Sequence, residues 1–548
     1  MQCHIAVCVV LTLVVLDYVA AIQVTTSLGE ILGTTLKSRL GADFYAFRGI
    51  RYAQPPVGEL RFQNPKPYPS WKPIVFDATQ DGPMCPQVTE NVTDASEDCL
   101  RLNVYTKEIV GARKPVVVYL HPGGFYGVSA QSKNFAGAEH LMDRDVVLVT
   151  LNYRLGTLGF LATGSAEAPG NAGLKDQVEA LRWVRDHISD FGGDPNSVTL
   201  LGYSAGSFSI GLHMMSPMSK GLFHRGIMMS ASPLGQFGYE RRQKRLSDRQ
   251  ADLLNCPQEP AAELVKCLKK KPMLDFVNSS AQMFDFNWNP VLNWMPVIED
   301  DFGQERFLVE DPYKTIQSER LYKVPLIIGI TEYEFVGGAY YILKNETTRK
   351  WLNEDFEKYA PITLMYERDT ARSKHITQTL RSKYLGNSTL TFPESLDSFG
   401  KLYSDGIINF EYHRFLDLVS RATPVYTYLF TYKGRYSHFQ YNGEVYGAVH
   451  HDELLYLLRV PVMTPLFTQS DPENVVIENL TRMWTEFAKK GDPNNVSDKF
   501  LKNLKWPLYS KDKKPYLVIG KDFTVSEGGI YTERFQIWDE LFPVPNFN

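Results

Sequence analysis

Short apolar runs set the framework of the chain. Val116-Val117-Val118-Tyr119-Leu120, Val146 to Leu151 and Val198-Thr199-Leu200-Leu201 each fit a buried strand, and Pro325 to Ile330 and Val425 to Tyr432 repeat the pattern further on. Between the second and third runs, Leu174, Val178, Leu181, Val184, Ile188 and Phe191 recur at helical spacing until Gly192-Gly193 ends the period. Strand, helix, strand in that order predicts an α/β fold with a large, mostly parallel twisted sheet flanked by helices. Residues from about 235 to 320 are helical and irregular in pattern and are expected to form part of a wall over the site. No repeat, low-complexity tract or proline-rich linker divides the chain, which predicts a single domain over 22–548 carrying insertions.

The N-terminus adds a destination. Ile5 to Leu16 is unbroken apolar sequence, too short to span a bilayer and long enough for the core of a secretory signal. Val19-Ala20-Ala21 supplies small residues for cleavage after Ala21, although the residues ahead of the run include His4 and no Lys or Arg. Residues 1–21 are therefore expected to be a signal peptide and the mature protein to be secreted, without a membrane anchor. Net charge is −4, with basic clusters only at Arg241-Arg242-Gln243-Lys244-Arg245 and Lys269-Lys270-Lys271, which argues against a nucleic-acid partner.

Six cysteines fit export. Cys3 and Cys8 leave with the signal, and Cys85, Cys99, Cys256 and Cys267 allow three connectivities. The local pairs Cys85–Cys99 and Cys256–Cys267 close short loops and are the simplest choice. Regular Cys/His spacing for a metal is missing, and no cofactor is expected. Asn91, Asn278, Asn345, Asn387, Asn479 and Asn495 stand in glycosylation sequons.

Candidate chemistry centres on Gly202-Tyr203-Ser204-Ala205-Gly206, between the strand at Val198 and a helix-compatible stretch from Ser207 to Met215. A G-x-S-x-G turn from strand to helix is a nucleophile elbow that holds the serine hydroxyl above a sheet. The motif alone arises by chance in about one chain in five of this length, so its context carries the weight. His121-Pro122-Gly123-Gly124-Phe125 follows the first strand, where a glycine pair can aim N–H groups at an oxyanion together with the N–H of Ala205, or be a plain turn. An acid and a histidine should follow the serine in that order. Glu332 and Glu334 lie just past the strand ending at Ile330, Asp300 and Asp301 precede it, and His438, His450 and His451 are the candidate bases; pattern alone does not choose among them.

With these pieces in place, the chain resembles the type-B carboxylesterase and cholinesterase family of α/β-hydrolases, most of all its secreted insect carboxylesterases. The resemblance is carried over nearly the whole mature chain by Phe47-Arg48-Gly49-Ile50-Arg51-Tyr52-Ala53, Leu60-Arg61-Phe62, Ser96-Glu97-Asp98-Cys99-Leu100, Asn152-Tyr153-Arg154, Gly170-Asn171, Asp176-Gln177 and Phe191-Gly192-Gly193-Asp194-Pro195. It implies an α/β-hydrolase fold with insertions covering the active site, and a serine esterase forming an acyl-enzyme. It also implies that Gly447-Ala448-Val449-His450 supplies the base, Tyr333-Glu334-Phe335 the acid, Gly123, Gly124 and Ala205 the oxyanion donors, and that the two local cysteine pairs form disulfides. Glu334 lacks the family's usual Asp-Glu-Gly context, and Pro122 replaces the first glycine of the oxyanion segment.

Cholinesterases hold a cationic substrate on a tryptophan inside the first disulfide loop and carry a glutamate before the serine; here residues 85–99 contain no tryptophan and Tyr203 is neutral, which favours uncharged esters. The glutamine that precedes the serine in typical juvenile hormone esterases is missing too. Trp288, Leu292 and Trp294 are candidates for an acyl pocket or for ordinary core. A catalytically silent adhesion or binding relative and a specialised hormone or pheromone esterase are the alternatives.

Overall fold

A computed structural model describes residues 21–88, 92–386, 388–501 and 503–547. The expected signal segment lies outside the described residues except for Ala21, whose backbone opens the first strand, and Asn91 and Asn387 lie outside them as well.

The organising element is a 13-stranded sheet. Its centre is parallel, in the spatial order Val147–Leu151, Lys114–Leu120, Gly193–Tyr203, Arg225–Met229, Leu326–Thr331, Val425–Phe430 and Tyr516–Ile519. Antiparallel margins flank it, Ala21–Thr26, Gly29–Lys37, Asp43–Arg51 and Arg101–Thr106 on one side and Phe523–Ser526 on the other, and the thirteenth strand, Val75–Asp77, pairs parallel with Gly29–Lys37. All five strands expected from apolar runs are present, each end within five residues of its expected place.

Those central runs are continuously apolar because both faces of the sheet are covered. Val116, Val118 and Leu120 enter one core with Leu200, Ile328 and Ile330, while Val117 and Tyr119 point to the opposite core with Leu201, Tyr203 and Ile327. A period of two thus distributes one strand between two layers. The amphipathic helix occupies Ala172–His187, and Ile188–Phe191 continues it as a tight 3₁₀ turn that Gly192 stops at φ 79°.

The 235–320 region forms the helices Lys244–Leu253, Ala261–Lys269, Met273–Ser279 and Pro312–Gln317 joined by irregular chain. Leu264, Val265, Leu268 and Phe276 make a small separate core with Phe62 and Leu158. Cys85–Cys99 and Cys256–Cys267 are both bonded. Closing loops of this length removes unfolded-state entropy worth about 3 kcal/mol per bridge in the chain-entropy account.

Candidate active site

The strand Gly193–Tyr203 delivers Ser204 to the carboxyl end of the sheet centre, and the helix Ala205–His213 leaves immediately. Ser204 sits at φ 53°, ψ −120°, a conformation an L-residue adopts only under constraint. The constraint is main-chain packing. A Cβ on Gly202 would lie 2.3 Å from the Gly206 carbonyl oxygen, and one on Gly206 would lie 2.0 Å from that of Leu120. Ser204 N–H donates to Met229 O at 2.8 Å, pinning the turn to the next strand.

Glu334 and His450 come from the loops after Leu326–Thr331 and Val425–Phe430, neighbours in the sheet. The loops are laced together: Tyr333 N–H donates to Ala448 O and His450 N–H to Glu334 O, each at 2.9 Å. The side chains then meet, His450 Nδ1 to Glu334 Oε2 at 2.5 Å. Thr331 N–H donates to Glu334 Oε1 at 2.7 Å, so both carboxylate oxygens are occupied inside a fully buried pocket. His450 Nε2 is enclosed and has no hydrogen-bond partner among the described residues. No hydrogen bond joins it to the Ser204 hydroxyl. Tyr203, the residue before the serine, places its ring edge-on to the imidazole at 5.1 Å, and Phe335 covers it at 4.5 Å.

The other candidates sit elsewhere. His438 is occupied with Asp452 at 3.2 Å, His451 is enclosed with burial holding its imidazole neutral, and Asp300 is paired with Arg241 at the surface. Glu332 is half-buried and lines a separate cavity together with Tyr446 and Arg534.

Two further buried carboxyls stand nearby. Burial first, and the charge of Glu334 second, push Glu453 well above the usual carboxylate range, and the same two causes act on Glu411. Of the three, Glu334 alone faces a histidine.

In the turn after Lys114–Leu120, Gly123 (φ 109°) and Gly124 (φ 57°) both take left-handed conformations, and a Cβ on Gly123 would lie 2.0 Å from Gly127 O. The turn is tied downstream, by Tyr126 and Gly127 N–H groups donating to Gly123 O at 2.9 Å each. Pro122, lacking an N–H, therefore removes nothing from it. The Gly123 and Gly124 N–H groups have no acceptor among the described residues, and Ala205 contributes one of the free N–H groups at a helix start. His121 anchors the approach: its ring stacks on Tyr153 at 4.2 Å, and burial pushes its pKa down to about 4, leaving a neutral ring.

One network here had no signal in the sequence. The Tyr203 hydroxyl accepts from His451 N–H at 2.6 Å, and its single proton lies within reach of two acceptors, Ser230 Oγ at 3.0 Å and Glu453 Oε2 at 3.2 Å. Tyr428 donates to the other oxygen of Glu453. His451 itself sits at φ 82°, so Tyr203 braces a strained residue next to His450. Tyr203→Phe leaves that buried N–H without an acceptor, and urea unfolding should show a loss of about 1–3 kcal/mol. An unchanged midpoint would mean the brace carries no load.

Trp288 is 46% exposed and stacks on Tyr126, Trp294 is core, and Leu292 lines a cavity with Phe237 and Met365. Asn278 and Asn345 are exposed and Asn495 half-buried, whereas Asn479 lies in a packed helix with its side-chain oxygen enclosed. No group of His, Cys, Asp or Glu among the described residues is placed to hold a metal. No helix among them is long and apolar enough to cross a membrane.

A parallel sheet with a serine on a strained strand-to-helix turn, and an acid–histidine pair in later loops, defines an α/β-hydrolase. The carboxylesterase family profile matches residues 20–538, and the chain belongs to the carboxylesterase family. It is 33% identical over 514 residues to the juvenile hormone esterase of Tribolium castaneum, covering 89% of this chain and 86% of that one. It is 34% identical over 492 residues to a carboxylic ester hydrolase of Bombus ignitus, covering 86% of each. The crystal structure of juvenile hormone esterase from Manduca sexta, with OTFP covalently attached, superimposes with a TM-score of 0.83 at 27% identity, over 95% of this chain and 100% of that one. The protein is thus a carboxylesterase, acting on small-molecule esters.

Proposed function

We propose that this carboxylesterase is secreted and hydrolyses uncharged esters through Ser204, His450 and Glu334. The observation that carries the reading is the enclosed Glu334–His450 pair, edged by the tyrosine that precedes Ser204. His450 takes the Ser204 proton as the serine oxygen attacks the ester carbonyl, and Glu334 orients the ring and stabilises its cation. The N–H groups of Gly123, Gly124 and Ala205 receive the tetrahedral oxyanion, each contributing about 10²-fold or more. His450 then protonates the departing alcohol, and water releases the acid by the same route. The covalent OTFP adduct of the Manduca sexta relative supports a covalent step in this fold.

Secretion is supported by the apolar N-terminal run, the two disulfides and a venom carboxylesterase relative in Apis mellifera, 31% identical over 503 residues. Of the sequons, Asn278 and Asn345 are the best exposed acceptors.

A fluorophosphonate ester is expected to label the secreted protein once, with the adduct mass on the peptide containing Ser204 and activity lost in proportion. Labelling elsewhere, or inactivation without a Ser204 adduct, would overturn the assignment.

A further inference from the structure

Ser204 and His450 arrive on separate pieces of chain, and a proton can pass between them only within hydrogen-bond reach. Main-chain bonds fix each piece on its own side. Ser204 N–H is tied to Met229 O, and the histidine turn is tied to the acid loop through His450 N–H and Glu334 O. Between residues 202–206 and 447–453, however, the described residues share no main-chain hydrogen bond. The two hydrogen bonds that do cross both end on the Tyr203 hydroxyl, from His451 N–H at 2.6 Å and to Glu453 Oε2 at 3.2 Å.

Tyr203 closes its strand one residue before Ser204 and is fully buried. Burial first, then the charges of Glu453 and Glu334, hold its hydroxyl well above the usual tyrosine range, so it stays an uncharged partner for that N–H. The N–H belongs to a residue at φ 82°, in the left-handed region that glycine enters freely and histidine does not. Downstream the chain is held. Asp452 accepts from the Ser437 hydroxyl and His438 N–H, and Tyr428 donates to Glu453. A relaxation of His451 is therefore passed upstream, to His450.

We propose that Tyr203 is a positioning residue for ester hydrolysis. Its hydroxyl latches the histidine turn to the nucleophile elbow by holding His451 in its left-handed conformation, and so sets the imidazole at working distance from Ser204. The latch matters only if Ser204 and His450 are the nucleophile and base proposed above. Tyr203 acts through His451 and touches no reacting atom; Tyr203→Phe keeps the ring beside the imidazole and removes the hydroxyl alone.

The test measures kcat and KM for a short aryl ester in the full-length parent, in Tyr203→Phe and in Tyr203→Phe/His451→Gly. Each rate is normalised to the Ser204 sites that a fluorophosphonate titrates to completion, so unfolded chains do not count. Tyr203→Phe should lower kcat by about 10–100-fold and leave KM within about twofold, since a misplacement of roughly 1 Å can cost 10²-fold. Glycine takes φ 82° without a brace, so His451→Gly in the same chain should return most of the lost rate. A tyrosine that only stabilised the fold would leave the normalised kcat at the parent value. A kcat within about threefold of the parent, a loss confined to KM, or a double variant no faster than Tyr203→Phe would overturn the proposal. A parent with no titratable Ser204 would instead overturn the underlying assignment of the nucleophile.

Discussion

Ser204→Ala is expected to lower turnover of a short aryl ester by about 10⁴–10⁶-fold, the loss typical when a triad nucleophile is removed. The substitution is well suited to the question. Alanine can occupy the strained position, since the constraint comes from Gly202, Gly206 and the Met229 bond, none of which uses the hydroxyl. Circular dichroism and the melting profile should therefore match the parent, and the loss should fall on kcat. Retention of more than about a tenth of the parent rate would place the nucleophile elsewhere.

Glu334→Gln should reduce kcat by about 10³–10⁴-fold, as expected when an orienting carboxylate becomes an amide. Glu334 accepts two N–H bonds, from Thr331 on one oxygen and His450 on the other. Glutamine offers one oxygen and one NH₂. If the oxygen stays with Thr331, the NH₂ faces His450 Nδ1 and forces the tautomer that carries its proton on Nε2, where the ring can no longer take one from serine. The main-chain bond from His450 N–H to Glu334 O survives, so the loops should remain joined. A kcat within about tenfold of the parent would remove Glu334 from the mechanism.

Legibility from sequence followed burial. Lys114–Leu120 and Leu326–Thr331 are buried on both faces and stand out as unbroken apolar runs. Gly29–Lys37 is half-covered, with Gly-Thr-Thr in its centre, and the margin strands Tyr516–Ile519 and Phe523–Ser526 are only four residues each, too short for a periodic signal; none of these is legible. Helices from Val336 to Val419 escaped because they pack on one another as an insertion and not in strand–helix alternation. At the site, the elbow was readable because its glycines answer to main-chain contacts a few residues away. Choosing Glu334 over Glu332 and His450 over His451 was not, since adjacent residues share every local signal and differ only in which side chain turns inward. Resemblance made that choice.

The elbow is clamped by backbone against backbone, Gly206 on Leu120 and Gly202 on Gly206, so its shape does not depend on which side chains flank the serine. The surroundings are built differently: Phe237, Leu292 and Met365 belong to segments outside the sheet. Heredity can therefore work on the two at different speeds. Substitutions in the outer segments alter what the protein accepts while the reacting serine stays where the sheet puts it, and a lineage can change its diet of molecules without relearning its chemistry.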